Sequence, residues 1–255
     1  MTIIEALILG IVEGVTEFLP ISSTGHLILT SHLLGLTGEF VKSFEIIIQL
    51  GAILAVLVLY GSSRFLSLPV LKRLVVAFIP TGIIGLALYK IVKSYLLGSS
   101  IVVVAALALG GLALILFERR HSEKETSLKE IEGMSYKHAA LIGCFQSLAI
   151  IPGVSRSAAT IIGGLALGIS RSAIVEFSFL LAVPTMLAAT GLDLFKNGMS
   201  FSLDQYLLFA VGFVTAFITA WLSIRWLLSF IKTHTFTSFG YYRIIIALIF
   251  ATFLL

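Results

Sequence analysis

Apolar residues run along this chain in blocks too long and too little interrupted for a water-soluble fold. A helix needs about 20 mostly apolar residues to cross the ~30 Å hydrocarbon core of a bilayer. Six stretches reach that length, roughly 43–61, 74–92, 100–118, 173–194, 206–230 and 239–255. Two further apolar stretches, 3–19 and 139–151, run instead into polar breaks. These are Leu19-Pro20-Ile21-Ser22-Ser23-Thr24-Gly25-His26 and Ile151-Pro152-Gly153-Val154-Ser155-Arg156-Ser157, followed by shorter apolar pieces at 27–36 and 158–169. A helix that halts at a polar turn and comes back predicts a re-entrant hairpin. Such a turn is tolerated at membrane depth only where protein buries it or water reaches it. The expected fold class is an all-α polytopic membrane protein, with six transmembrane helices plus two re-entrant helical hairpins.

The two halves share a register. Ala6-Leu7-Ile8-Leu9-Gly10 is similar to Ala139-Ala140-Leu141-Ile142-Gly143 at an offset of 133, which also carries Glu13 onto Gln146, Ser22 onto Ser155 and Phe44 onto Phe177. One hairpin and three spans per half is an odd number of crossings, so the second copy enters the membrane upside down. That is an inverted-topology repeat, an arrangement that puts the polar site near the midplane where the copies meet. The expectation is a single membrane domain over 1–255, made of repeats at about 1–118 and 134–255. The mixed-charge segment 118–138 reads as a solvated cytoplasmic link, with 119–133 as the connector proper.

Charge sets the orientation. With six crossings, Arg64, Lys72, Arg73, Arg119, Arg120, Lys124, Lys129, Lys137, Arg171, Arg225, Lys232 and Arg243 fall on one side. Lys42, Lys90, Lys93 and Lys196 fall on the other, and Arg156 lies in a hairpin tip. The richer side is cytoplasmic by the positive-inside bias, so both termini are expected outside. Composition agrees: 58% of residues are hydrophobic and 12% charged, against about 45–50% and about 25% in soluble domains. The net charge of +4 comes without basic clusters interleaved with aromatics, so nucleic acid is not an expected partner. The single Cys144 excludes an internal disulfide and reads as a buried packing residue. The first segment lacks the basic region and cleavage site of a signal peptide, so it is expected to stay on the mature protein.

Ionisable groups inside a membrane are expensive and mark function by default. Glu13 and Glu17 stand four apart, on one helical face, where two carboxylates suit a hard divalent ion such as Mg²⁺ or Ca²⁺; polar lining of an aqueous vestibule is the plainer alternative. Ser22, Ser23, Thr24 and His26 supply hydroxyls and an imidazole, a nucleophile–base combination, although a Ser/Thr run opening a helix also serves as an N-cap. Arg156 offers a planar fork of donors matched to phosphate oxygens. It stands among Ser155, Ser157 and Thr160 at a helix start, where backbone N–H groups favour an anion; pairing with Glu13 or Glu17 is the structural alternative. Carboxylates, a hydroxyl–imidazole pair and an arginine cradle together suit phosphoryl transfer.

The two motifs, Glu13 through His26 and Pro152 through Ser157, strongly resemble the signatures of the undecaprenyl-diphosphate phosphatase family of the bacitracin-resistance type. The stretches Phe44–Gly51 and Glu176–Pro184 look like the same family. The resemblance implies hydrolysis of a C55 polyprenyl diphosphate to the monophosphate and inorganic phosphate, with a divalent cation, in a bacterial inner membrane, and a link to bacitracin resistance. It matches at Glu13, Glu17, Ser23, His26 and Arg156. The expected roles are catalysis by Ser23, His26 and Glu17, phosphate binding by Arg156, Ser155, Ser157, Thr160, Ser22 and Thr24, and metal binding by Glu13 and Glu17. Either Ser23 or His26 serves as nucleophile, and a homodimer is left open. The cavity is expected to open to the outer face. The rival is a polyprenyl-phosphate transporter or flippase, which the repeat suits as well, though anion transport does not need the Glu/Ser/His group.

Overall fold

The computed structural model describes residues 1–61, 67–96, 99–124, 126–197 and 201–254. Arg64, Glu125 and Leu255, each part of an expectation above, lie outside them. The described chain is helical, and no named β-strand forms among its residues. In chain order the helices are α1 (Ile3–Thr16), α2 (Ser23–Leu33), α3 (Glu39–Tyr60), α4 (Leu68–Ile91), α5 (Ser100–Arg120), α6 (Tyr136–Gln146), α7 (Arg156–Ala166), α8 (Arg171–Asn197), α9 (Leu203–Phe230) and α10 (Thr237–Leu254). A π-turn at Val92–Leu96 extends α4 and a 3₁₀ turn at Ser147–Ile150 extends α6.

Five helices are long and apolar enough to cross a membrane: Glu39–Tyr60, Leu68–Leu88, Ser100–Arg120, Arg171–Gly191 and Leu203–Phe230. The sixth predicted stretch forms a shorter apolar helix, Thr237–Phe253. Large apolar side chains stand exposed along the long helices, among them Leu86 at 71% and Leu109 at 66%. Such a surface is stable against lipid and a liability against water. Of these five long helices the most enclosed by its neighbours is α8, with 67% of its apolar window buried against 17% for α4.

The two predicted hairpins each begin with a helix too short to span. α1 has 14 residues, about 21 Å at 1.5 Å per residue. It starts in a capping box, Thr2 N–H donating to Glu5 Oε2 at 2.6 Å and Glu5 N–H to Thr2 Oγ1 at 3.3 Å, which satisfies two otherwise orphaned donors. It stops before Pro20, whose ring cannot continue the ladder. The second short helix, α6, begins under a Ser135 cap and ends in the 3₁₀ turn before Pro152.

Packing repeats between the halves. α1 lies on α9 and α6 lies on α4, while α5 packs on α10 and α3 on α8. Both of the first two contacts are made through glycine. A Cβ on Gly10 would come within 2.8 Å of Gly212 O, and one on Gly143 within 2.0 Å of Ala77 O. Each glycine carbonyl also accepts a threonine hydroxyl from the opposing helix, Thr219 to Gly10 at 3.3 Å and Thr81 to Gly143 at 2.9 Å. Small residues with hydroxyl bonds across the seam are how helices associate where burial of apolar surface drives nothing.

Three expectations are corrected here. The 118–138 segment is not simply solvated. Glu118 is buried in an ion pair with Arg171 and accepts the Phe236 N–H at 3.0 Å, and Ile131 and Met134 are fully enclosed. Its backbone is tied to the turn before α8 by Leu128 N–H to Gly168 O at 3.0 Å and Ser170 N–H to Leu128 O at 2.9 Å. Cys144 is exposed rather than buried, because it faces outward beside Leu141 while Gly143 takes the interface. Arg243, counted above among the cytoplasmic cations, is 1% exposed in the middle of the bundle.

Replacing Gly143 by Val is expected to destabilise the protein by about 1–3 kcal/mol, since the new side chain meets backbone that cannot step aside. Gly191→Ala, which meets nothing within 4 Å, should be tolerated. Thermal melting of the purified variants in detergent checks both.

Candidate active site

The loop after α1 and the start of α7 meet inside the protein. Ser22 takes a positive φ of 72° and its Oγ accepts the Gly25 N–H at 3.4 Å, opening α2. Gly153 turns the second loop at φ +91°, where a Cβ would lie 2.6 Å from Val103 O, so only glycine fits. Ser155 then caps α7, its Oγ accepting the Ala158 N–H at 3.1 Å. Two hydroxyls of the second loop donate to the backbone of the first: Ser157 to Phe18 O at 2.9 Å and Ser155 to Leu19 O at 3.5 Å.

One carboxylate joins the chemistry of the two loops. Glu17 Oε1 accepts Arg156 Nη2 at 2.9 Å, and Glu17 Oε2 accepts the Ser23 hydroxyl. Both members of the ion pair are nearly enclosed, with side-chain exposures of 7% for Glu17 and 12% for Arg156. Arg156 Nη1 donates to Ser178 O at 2.7 Å, and the guanidinium carbon lies 5.8 Å from the centroid of the Phe18 ring. Its Nε is buried with no hydrogen-bond partner. Arg156 therefore makes the expected pairing with Glu17. It neutralises Glu17, and it holds a donor in reserve.

These groups line a cavity of about 210 Å³, below the roughly 300–1,000 Å³ of drug-sized sites, so it suits a headgroup and not a long chain. Glu17, Ser22, Ser23, Thr24, Ser155 and Arg156 come from the two loops; Gln49, Thr81, Gln146 and Thr185 complete the polar lining. Gln146 Nε2 donates to Thr81 Oγ1 at 3.0 Å and to Thr185 Oγ1 at 3.1 Å. The sequence did carry a signal for the two threonines. Each follows a proline inside an apolar helix, Pro80 in α4 and Pro184 in α8. Proline there leaves a backbone acceptor to be satisfied by something else.

Not every expected residue reaches the cavity. Ser157 and Thr160 are fully buried, and their hydroxyls are spent within the protein, Thr160 donating to the carbonyls of Arg156 and Ser157 at 3.0 and 2.9 Å. Both therefore hold the loop in shape. His26 also stands apart from the Ser23 hydroxyl. Its Nδ1 bonds Ser22 O at 2.8 Å and its Nε2 bonds the Tyr242 hydroxyl at 2.8 Å, with the two rings stacked at 5.5 Å. The residue three before His26 points into the cavity while the imidazole points towards α10.

Glu13 is fully buried, and neither of its carboxylate oxygens has a hydrogen-bond partner. A bare buried carboxylate needs a counter-charge or a proton, and two hard oxygens one turn from Glu17 fit a divalent cation. Among the described residues, no three His, Cys, Asp or Glu side chains gather around one point. The remaining ligands of such an ion would be neutral oxygens or the substrate itself.

A family model described as bacitracin resistance protein BacA matches residues 6–249. The chain belongs to that family. It is 53% identical to an undecaprenyl-diphosphatase of Aquifex aeolicus, with all of both chains covered. It is 55% identical to one of a Sulfurihydrogenibium strain over 98% of each chain, and 51% identical to one of Wolinella succinogenes over 100% of this chain and 99% of that relative. Membership of this family and the long apolar helices make it a multi-pass membrane protein.

Arg156→Lys keeps the charge but loses the planar fork that reaches Glu17 and Ser178 together. Phosphate release should fall by about 2–4 kcal/mol in kcat/KM, measured on a lipid diphosphate in detergent. Near-normal hydrolysis would show Arg156 to be peripheral.

Proposed function

We propose that this protein, like the relatives named undecaprenyl-diphosphatases, acts on undecaprenyl diphosphate, hydrolysing it to the monophosphate and inorganic phosphate. In a bacterial inner membrane that reaction recycles the lipid carrier of wall synthesis and opposes bacitracin. The observation that carries the reading is the Glu17 carboxylate, which bonds the Ser23 hydroxyl on one oxygen and Arg156 on the other at the wall of one small cavity.

Ser23 Oγ attacks the terminal phosphorus while Glu17 Oε2, already its acceptor, takes the proton. The P–O bond to the lipid monophosphate breaks and that group leaves. Water then cleaves the phosphoserine, returning the hydroxyl and releasing phosphate. Arg156 binds the equatorial oxygens, where charge spreads in the transition state. Both imidazole nitrogens of His26 are engaged, which favours Ser23 over His26 as nucleophile. His26 then keeps the start of α2 in place through the Ser22 carbonyl. Glu13 and Glu17 would hold the divalent cation, Mg²⁺ or Ca²⁺, and its chemistry would be to offset the diphosphate's negative charge. A hydroxyl–carboxylate pair of this kind has no use in moving an intact lipid phosphate, so hydrolysis is preferred to transport.

The architecture we propose around it has six crossings, α10 being the sixth, and two re-entrant hairpins, α1–α2 and α6–α7. It forms one domain of two inverted repeats, 1–118 and 134–255. Support comes from the repeated element order and from the matched pairs α1–α9 and α6–α4. With the cationic ends of the long helices inside, both termini lie outside and the cavity opens to the outer face.

Ser23→Ala removes one oxygen, so folding should be preserved while phosphate release falls by at least about 10³-fold. Retained hydrolysis with a normal melting temperature would remove Ser23 from the chemistry. Glu17→Gln should lower activity and weaken its dependence on added Mg²⁺ or Ca²⁺. Full activity with an unchanged metal titration would sink the carboxylate site.

A further inference from the structure

Arg243 lies on α10, far in sequence from both motifs, and takes no part in the mechanism above. It is 1% exposed, and none of the ion pairs among the described residues involves it. A guanidinium so buried without a carboxylate must be compensated by neutral acceptors. It has four, all backbone carbonyls. Nη2 donates to Ala106 O at 3.0 Å and to Gly153 O at 3.1 Å, Nη1 to Pro20 O at 3.4 Å, and Nε to Leu107 O at 3.4 Å.

Two of these carbonyls belong to the two functional loops. Pro20 lies between Glu17 and Ser23, and Gly153 lies three residues before Arg156. They are also equivalent under the offset of 133 that relates the halves. The other two carbonyls belong to α5, a rigid helix packed on α10. The guanidinium therefore ties both loop tips to one fixed frame. The surroundings leave room for it and for little else. A Cβ on Gly110 would fall 2.1 Å from Arg243 Nη2, and Gly153 needs its positive φ to make the turn whose carbonyl the guanidinium meets.

We infer that Arg243 is a positioning residue for the phosphatase, a single cationic clamp that sets the distance between the Ser23-bearing and Arg156-bearing loops. The inference rests on the reading of Ser23 and Arg156 as the groups that face the phosphoryl. The guanidinium acts because it offers several donors in a rigid plane; an ammonium at the same place cannot reach four acceptors in three segments. Loss of the clamp lets the loops shift independently. A shift of about 1 Å in such a site costs on the order of 100-fold in rate.

The test compares full-length Arg243→Lys, Arg243→Met and Gly110→Ala with the unaltered protein in detergent. Thermal melting gives the folded fraction, and phosphate release from undecaprenyl diphosphate gives kcat per folded molecule and KM. Gly110→Ala preserves every charge and displaces the guanidinium by bulk alone. The expected result is a kcat per folded molecule lower by about 100-fold in Arg243→Met. A smaller loss is expected in Arg243→Lys and in Gly110→Ala, with KM changed by less than about threefold. Unchanged kcat per folded molecule in both Arg243→Lys and Gly110→Ala overturns the clamp, even if Arg243→Met fails to fold. A raised KM at constant kcat overturns it also, in favour of direct contact with the substrate. Ser23→Ala is run beside them. If that variant hydrolyses normally, the assignment of Ser23 has failed; if it is inactive and the Arg243 variants are normal, only the clamp has failed.

Discussion

The arrangement depends on keeping two non-helical turns inside a protein with a lipid-facing surface while their backbone carbonyls find partners. Water does that work in a soluble enzyme, and lipid cannot. Here the second turn supplies donors to the first, and one guanidinium serves both. Phe18 and Leu19 carbonyls take hydroxyls from Ser157 and Ser155, and Pro20 and Gly153 carbonyls share the Arg243 guanidinium. Because the first turn draws its donors from the second and both draw on Arg243, they cannot part without leaving buried carbonyls bare, at several kcal/mol per group. The constraint that stabilises the turns is also the one that brings Ser23 and Arg156 to the same cavity.

Charge follows the same logic. Three ionisable side chains that would be intolerable singly, Glu17, Arg156 and Arg243, are enclosed together with different forms of compensation. Glu17 and Arg156 neutralise one another, and Arg243 is held by four carbonyl dipoles. Among the described residues, Glu13 is left with neither carboxylate oxygen hydrogen-bonded, which suits it to a cation. A buried pair is a poor device for stability, since desolvation offsets most of the attraction. Its value at Glu17 is chemical: the carboxylate that neutralises Arg156 is the one that accepts the Ser23 hydroxyl, the pairing on which the proposed mechanism rests.

The scaffold that holds this pair is built from close backbone approaches. Gly10 and Gly143 let α1 and α6 lie directly on α9 and α4, so the short helices are fixed by contact with long ones. Pro80 and Pro184 loosen the ladders of α4 and α8 where Thr81 and Thr185 turn to the cavity. The polar lining thus comes from the same irregularities that interrupt the long helices.

Much of this was legible in the residues alone, because lipid imposes strict rules on sequence. Span lengths and the polar breaks at Pro20 and Pro152 follow from the need to hide backbone polarity. The placement of Glu17, Ser23 and Arg156 in a common site followed once the breaks were paired. Other features were decided only in three dimensions. Ser157, Thr160 and His26 carry the right chemistry at the right spacing, but side-chain direction is set by what packs opposite, and here backbone carbonyls and Tyr242 engage them. Arg243 misled for the same reason. At the start of an apolar stretch it reads as a cytoplasmic anchor, and nothing within ten residues of it indicates a buried role. Its partners come from α5 and from both loops, so only the assembled bundle brings together the carbonyls that make its burial possible.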